Sequence, residues 1–151
     1  MKVLIDDGYI QGKIVECHSG KAILEIFNKG QIKIKKSMNI PELDFHLPIL
    51  SEDDVKDLEF GAKNDVDIIA LSFVSKAEQV LEVKKLLHEF NHPKILIISK
   101  IESAIGVKNF DAILEVSDGI MIARGDLGVE LPIEKIPRLH GRSGVCQRHT
   151  C

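Results

Sequence analysis

The first forty residues carry short runs of alternating apolar and polar positions, separated by turn residues. Runs at 13–17, 22–27 and 31–35 each predict a β-strand, and His18-Ser19-Gly20-Lys21 between the first two is typical of a hairpin connection. Isoleucine alternates strictly with glutamine or lysine in the third run. That alternation indicates an antiparallel sheet with one dry face and one lysine-covered face.

Helical and strand patterns alternate after Pro48, where a connector that starts at Pro41 predicts a domain boundary. Ser51 followed by three acidic residues predicts the N-cap and first turn of a helix. The predicted helices cover 52–62, 76–90 and 107–116, and the predicted strands cover 66–73, 95–98 and 118–123. Strands that alternate with helices at this spacing predict right-handed βαβ units and a parallel sheet.

The strands at 66–73 and 95–98 are almost continuously apolar, which predicts that both faces of each strand are buried. This α/β pattern fits an open doubly wound sheet and equally a segment of a (β/α)8 barrel. Because three strands cannot close a barrel, we expect an unpaired sheet edge.

Composition and charge narrow the class of protein. The 151-residue chain is 44% hydrophobic and 28% charged, as expected for a globular protein. A formal net charge of -3 gives no reason to expect nucleic acid or an anionic membrane as a partner. No apolar run reaches the length of a membrane span, and acids near the N-terminus do not fit a signal peptide. The three scattered cysteines favour a reducing cytoplasm.

Polar and charged residues follow the last apolar residue of each of the three predicted parallel strands. They are Ser72 after the first strand, Lys100 and Glu102 after the second, and Arg124, Gly125 and Asp126 after the third. Since parallel strands place their carboxyl ends on one rim, where α/β proteins bind ligands, these clusters are expected to converge.

The residue types at this rim suit chemistry on a phosphorylated or enolate substrate. Glu102 and Asp126 supply hard oxygen ligands of the kind that Mg²⁺ prefers. Lys100 supplies a compact positive charge for a phosphate or a developing enolate oxygen. Gly125 has no Cβ, so a substrate carboxylate could approach its backbone N–H closely.

The sequence pattern alone also allows the same residues to have structural roles without any ligand. Lys100 and Glu102 could be solvated charges at a strand end. Arg124 and Asp126 could form an ion pair without any ligand, and Ser72 could simply turn the chain.

The wording and spacing of the rim motifs resemble pyruvate kinase. The similarity is most specific at Lys100-Ile101-Glu102 and at 118–128, which contains Arg124-Gly125-Asp126. Further matching segments lie at 4–8, 35–41, 47–48, 50–54, 57–61 and 70–73. Together these segments extend the resemblance over roughly residues 3–136.

The resemblance implies a partial (β/α)8 TIM-barrel segment preceded by part of a small β-rich lid domain. It assigns 1–45 to the lid, 46–137 to the barrel, and 138–151 to an atypical tail. The implied reaction is phosphoryl transfer from phosphoenolpyruvate to ADP in glycolysis, using Mg²⁺ and K⁺, in a cytoplasmic homo-oligomer (a tetramer). Nucleic acid and membranes are not implied as partners.

The resemblance also assigns roles to individual residues. Glu102 and Asp126 become Mg²⁺ ligands, and Lys100 stabilises the phosphoryl-transfer transition state. The backbone at Gly125 and Asp126 holds the substrate carboxylate. Asp7, beside Asp6 at the lid hinge, has either a nucleotide-side role or a turn-forming one.

The departures from the family pattern shape the expected activity. By the resemblance, the K⁺ ligands and the first three barrel strands of the family would precede Met1, and the resemblance ends after Pro137. Ser75 stands where the family commonly has a basic residue. We therefore expect an internal fragment that is inactive by itself. Two alternatives are a metal-dependent aldolase-type barrel and a non-catalytic remnant that associates with intact subunits.

Overall fold

The computed structural model describes residues 1–41, 43 and 49–132. The predicted boundary at Pro48 and the predicted tail at 138–151 lie outside the described residues. Within the described part, no helix is long and apolar enough to cross a membrane. Two sheets organise the chain, one antiparallel and one parallel.

The N-terminal sheet contains four antiparallel strands in the order β3-β2-β1-β4. They are β1 (Lys2–Ile5), β2 (Ile10–His18), β3 (Lys21–Ile26) and β4 (Met38–Asn39). The predicted hairpin is confirmed, since His18 pairs with Lys21 around a turn in which Gly20 adopts a left-handed φ of 78°. Val3, Ile5 and Ile10 form the buried core of this sheet.

The predicted strand at 31–35 is wrong. These residues lie outside every strand, and Ile34 is 90% exposed. Alternation predicts a strand only where a neighbouring strand can bury the apolar face, and none of the described strands pairs with this run. The short β4 further along the chain pairs with β1 instead.

The second half of the chain forms a parallel sheet in the order β5-β6-β7 with helices between the strands. Its elements are α1 (Glu52–Lys63), β5 (Ile68–Leu71), α2 (Ala77–Glu89), β6 (Leu96–Ile101), α3 (Ala104–Lys108), α4 (Phe110–Val116), β7 (Gly119–Ile122) and α5 (Arg124–Glu130). The predicted N-cap is confirmed: the Asp54 N–H donates to Ser51 Oγ at 3.1 Å, and the Ser51 N–H donates to Asp54 Oδ2 at 2.8 Å. The Ser51 hydroxyl also donates to Asp54 Oδ2 at 2.6 Å, and this bond together with the one from the Ser51 N–H holds the pKa of the Asp54 carboxyl below its usual range.

The helices cover one face of the parallel sheet and leave the other face open. Val80, Val83 and Leu87 of α2 belong to the same buried cluster as Ile97 and Ile101 of β6. On the opposite face the side chains are exposed, as with Ile68 at 54% and Met121 at 47%. The prediction that both faces of these strands are buried is therefore wrong, because helices pack on one face only.

Two local features differ from the sequence prediction. The helix predicted at 107–116 is divided at Asn109 into α3 and α4, where the Asn109 side-chain amide donates to the Ser75 carbonyl at 2.7 Å. Arg124, Gly125 and Asp126, for which the sequence predicted only a place after the third strand, form the first turn of α5. The third polar cluster is thus held by a helix that the pattern did not predict.

Candidate active site at the carboxyl ends of the parallel strands

Three predicted residues meet at the carboxyl end of β6. The Lys100 Nζ lies 2.6 Å from Glu102 Oε1 and donates to Ser72 Oγ at 2.9 Å. The Glu102 side chain is 2% exposed and that of Lys100 is 26% exposed. A buried carboxylate requires a partner, and Lys100 supplies it. Lys100 and Glu102 are therefore a buried ion pair and not two solvated charges.

Glu102 also holds the backbone of the neighbouring strand end. Its Oε2 accepts the Phe73 N–H at 2.7 Å, and the Val74 N–H donates to the Lys100 carbonyl at 3.3 Å. Phe73 adopts a φ of +55°, a strained conformation for a bulky residue, and its side chain is 62% exposed. Both oxygens of Glu102 are consequently engaged, one by Lys100 and one by a strained backbone amide.

Phe73 was missed by the sequence interpretation because it lies at the end of the predicted strand 66–73. No residue type in Ser72-Phe73-Val74 signals a left-handed conformation, which glycine or asparagine would have suggested. A weak signal does exist further on. A Cβ added at Gly106 would lie 2.6 Å from the Val74 carbonyl oxygen, so glycine at that position allows α3 to approach this turn.

The end of β7 is more open than the end of β6. Arg124, Gly125 and Asp126 are all exposed, and a Cβ added at Gly125 would meet nothing within 4 Å. Neither Arg124 nor Asp126 makes a side-chain hydrogen bond or ion pair in the part of the chain that the structure describes. The alternative that these two residues form an ion pair is therefore wrong for this structure.

The two clusters lie on neighbouring strands but do not touch through their side chains. Strand β6 pairs with β7 so that Ile101 is opposite Ile122, and the Ala123 N–H donates to the Ile101 carbonyl at 3.1 Å. Among the described residues, no group of three or more histidines, cysteines or carboxylates is placed to hold a metal ion. The rim thus offers two carboxylates, Glu102 and Asp126, from adjacent strand ends.

Glu130 at the end of α5 is a further residue that the sequence interpretation missed. Its Oε2 accepts the Ala104 N–H at 2.9 Å, and its Oε1 accepts from the Asn39 side-chain amide at 3.3 Å. A single glutamate in an amphipathic segment carries no sequence signal for such contacts. It joins α5 to α3 and to β4 of the N-terminal sheet.

Asp7 lies in the turn between β1 and β2, next to Asp6 and Gly8. All three residues have positive φ values, at 55°, 55° and 84°. Asp6 Oδ1 lies 2.6 Å from Lys36 Nζ, and this contact raises the pKa of Lys36. The partner of the Asp7 side chain within the described residues is the Ser37 hydroxyl at 3.4 Å. These contacts agree with the turn-forming reading of Asp7.

Comparisons with known proteins identify the family of the chain. The profile of a family described as "Pyruvate kinase, barrel domain" matches residues 1–142. The chain is 47% identical to a pyruvate kinase of Chlamydia muridarum over 98% of its own length and 31% of that protein. It is 46% identical to one of Bacillus licheniformis over 89% of its length and 23% of that protein. It spans less than a third of the length of each of these relatives. The chain belongs to the pyruvate kinase family.

Proposed function

We propose that this chain forms part of the substrate site of a glycolytic, cytoplasmic pyruvate kinase, which transfers phosphoryl from phosphoenolpyruvate to ADP. The observation that carries the proposal is the Lys100 ammonium held 2.6 Å from the buried Glu102 carboxylate, beside the strand that leads to Asp126. Phosphoryl transfer depends mainly on positioning and on charge neutralisation, and this arrangement places cationic and anionic groups at one rim.

The fold proposal places the parallel sheet in a (β/α)8 TIM barrel and the N-terminal sheet in a β-rich lid. Three parallel strands with helices on one face support the barrel assignment. The open face supports it as well, because side chains such as Ile68 and Met121 would pack inside a closed barrel.

The donor set at the rim fits Mg²⁺. This ion keeps several waters and uses one or two protein carboxylates together with substrate oxygens. Asp126 is exposed and makes no side-chain bond within the described residues, and each Glu102 oxygen retains a lone pair beside its present partner. Glu102 and Asp126 would hold the ion, which would neutralise charge on the phosphoryl group. No residue of this chain is assigned to K⁺, which the family resemblance alone suggests.

The remaining rim residues would bind and orient the substrate. For Lys100 to contact a phosphoryl oxygen, its ammonium must turn from Glu102, and the Ser72 hydroxyl at 2.9 Å would keep it at the rim. The open space at Gly125 would let the substrate carboxylate reach the backbone N–H groups of Gly125 and Asp126. Arg124, exposed in the same turn, would add positive charge.

Nuclear magnetic resonance tests this assignment directly. With Mg²⁺ present, phosphoenolpyruvate should shift the amide signals of Gly125 and Asp126 in the wild-type chain. Lys100→Met should remove the effect, while Lys94→Met, at an exposed position away from the rim, should leave it unchanged. Circular dichroism would verify that each variant is folded. Equal shifts in the two variants would contradict the role of Lys100.

We propose further that the 151-residue chain by itself does not turn over substrate, since the open face of its parallel sheet is exposed to water. A coupled assay with phosphoenolpyruvate and ADP measures this, and turnover at the rate of an ordinary kinase would contradict it. An aldol-cleavage assay separates the aldolase alternative, for which we expect no activity.

The open face of the parallel sheet favours one second role, association with complete pyruvate kinase subunits, which the family resemblance makes tetrameric. Exposed Ile68, Leu96 and Met121 form an apolar face of the kind that mediates protein association. Sedimentation of this chain mixed with a complete pyruvate kinase tests the idea. Separate sedimentation of the two proteins at all concentrations would remove it.

A further inference from the structure

Glu130 occupies a position that links both candidate metal ligands. Its Oε2 accepts the backbone N–H of Ala104, two residues after Glu102 in the chain. Glu130 also follows Asp126 by four residues in α5, so the two side chains lie on the same face of the helix, one turn apart. One carboxylate therefore connects the segment that follows Glu102 to the helix that carries Asp126.

The other oxygen of Glu130 reaches the N-terminal sheet. Oε1 accepts from the Asn39 side chain, and Asn39 in β4 pairs with Leu4 in β1. The neighbouring Val129 lies against the turn after β1, with its Cγ1 3.7 Å from the position of a Cβ on Gly8. Helix α5 thus touches the N-terminal sheet at its strand β4 and at the turn between β1 and β2.

The apolar side of α5 fixes the helix on the parallel sheet. Leu127 is fully buried and packs with Val107, Ile122 and Leu131. Apolar packing resists withdrawal of the helix but specifies its rotation and axial position less sharply than directed bonds do. The two hydrogen bonds of Glu130 provide that directional constraint, and its charge strengthens both of them.

We propose that Glu130 is a positioning residue that sets the place of Asp126 relative to Glu102 and ties the N-terminal sheet to the same helix. The metal part of this inference rests on the proposed function, while the mechanical part does not. Without Glu130, α5 keeps its apolar contact but loses its directed bonds to Ala104 and Asn39. Asp126 then samples a wider range of positions relative to Glu102.

Glu130→Ala and Glu130→Gln form the central pair of variants. In Glu130→Gln, the amide oxygen can still accept the Ala104 N–H, and its NH₂ can donate to a rotated Asn39 amide. Without metal, Glu130→Ala should speed hydrogen exchange at Ala104 by about fivefold and shift the Asp126 amide signal. Glu130→Gln should restore both. Glu115→Ala, at an exposed position on α4, is the matched control and should change neither.

Calorimetric titration with Mg²⁺ supplies the second readout. Glu130→Ala should weaken Mg²⁺ affinity about tenfold, the effect typical of removing a group that orients a metal ligand. Glu130→Gln should recover most of that loss. Asn39→Ala removes only the bond to the N-terminal sheet, so it should speed exchange in β1 and β4 without changing Ala104 exchange or Mg²⁺ affinity. If Glu130→Ala does not fold, this variant still tests the tie to the N-terminal sheet, and faster Ala104 exchange in it would contradict the separate roles of the two Glu130 bonds.

The possible outcomes separate the two proposals. Wild-type exchange at Ala104 and an unshifted Asp126 amide in Glu130→Ala would overturn the positioning role. Faster Ala104 exchange in Asn39→Ala would show that the two hydrogen bonds of Glu130 do not act independently. A wild-type chain that binds no Mg²⁺ would overturn the metal site of the proposed function, while the metal-free measurements would still decide the role of Glu130.

Discussion

The carboxyl ends of β6 and β7 carry similar residue types but differ in how those residues are held. At the end of β6, Lys100 and Glu102 bind each other, and Glu102 also binds the Phe73 backbone. At the end of β7, Arg124 and Asp126 are exposed and make no side-chain bond within the described residues. The first cluster therefore contributes to the stability of the fold as well as to the candidate site, and the second is free to meet a ligand.

Removing Glu102 should give the largest effect on stability. Glu102→Ala leaves the Lys100 ammonium and the Phe73 N–H without their partner. Because Lys100 is about a quarter exposed, we expect the low end of the cost of breaking a buried pair, about 3 kcal/mol in the free energy of unfolding. Urea denaturation measures this value. Asp126→Ala, its counterpart at the end of β7, should change it by less than about 0.5 kcal/mol. Equal losses in the two variants would show that the two strand ends contribute alike to stability.

Two glycines differ in the space that is open to an added Cβ. In Gly106→Ala the new Cβ would lie 2.6 Å from the Val74 carbonyl oxygen, whereas in Gly125→Ala it would meet nothing within 4 Å. We expect Gly106→Ala to lower the free energy of unfolding by about 2 kcal/mol, as in other overpacked sites. Gly125→Ala should stay within about 1 kcal/mol of wild type, on the stabilising side. Thermal unfolding of both variants measures these changes, and a larger loss of stability in Gly125→Ala than in Gly106→Ala would contradict the expectation.

The cap of α1, which belongs to neither of the two clusters, provides an ordinary local contact for reference. Ser51→Ala should cost about 1 kcal/mol at neutral pH. The folded-state pKa of Asp54 lies below its ordinary value of 3.8, so the Ser51–Asp54 contribution is fully present above that pH. It is lost as the pH falls through the lowered folded-state pKa. Unfolding of wild type and Ser51→Ala at several pH values should show their difference shrink on acidification, and a difference that grows would contradict this assignment.

Ser72 should give the smallest change. Its hydroxyl accepts from Lys100 at 2.9 Å, but Lys100 keeps Glu102 as its partner when the hydroxyl is removed. Ser72→Ala should therefore cost about 0.5 kcal/mol, the low end for a hydrogen bond. A loss as large as that of Glu102→Ala in the same urea experiment would show that Ser72, and not Glu102, is the main partner of Lys100.

Much of the secondary structure could be predicted from the sequence, because its causes are local. The hairpin formed by β2 and β3, the Ser51 cap and the apolar stripe of α2 each follow from residues close together in the chain. The strand predicted at 31–35 is wrong because alternation specifies a strand only when another strand lies beside it. The prediction that both faces of β5 are buried is wrong for a related reason. Whether a face is covered depends on residues that are distant in sequence.

The candidate site was predictable in its residue types and less so in its contacts. Parallel strands place Ser72, Lys100 and Glu102 at one rim, which the chain order alone implies. The bond from the Phe73 N–H to Glu102 and the bridge made by Glu130 could not be predicted, since they depend on a left-handed turn and on the packing of α5. Such contacts are set by tertiary structure and carry no local signal.

Calorimetric titration of Mg²⁺ into the wild-type chain and Asp126→Ala tests whether Glu102 and Asp126 hold a metal ion at this rim. We predict that wild type binds Mg²⁺ and that Asp126→Ala binds it at least about tenfold more weakly, since one of two carboxylate ligands is lost. Unfolding by urea would verify that the variant is as stable as wild type. Identical isotherms for the two proteins would show that Asp126 does not bind the metal ion.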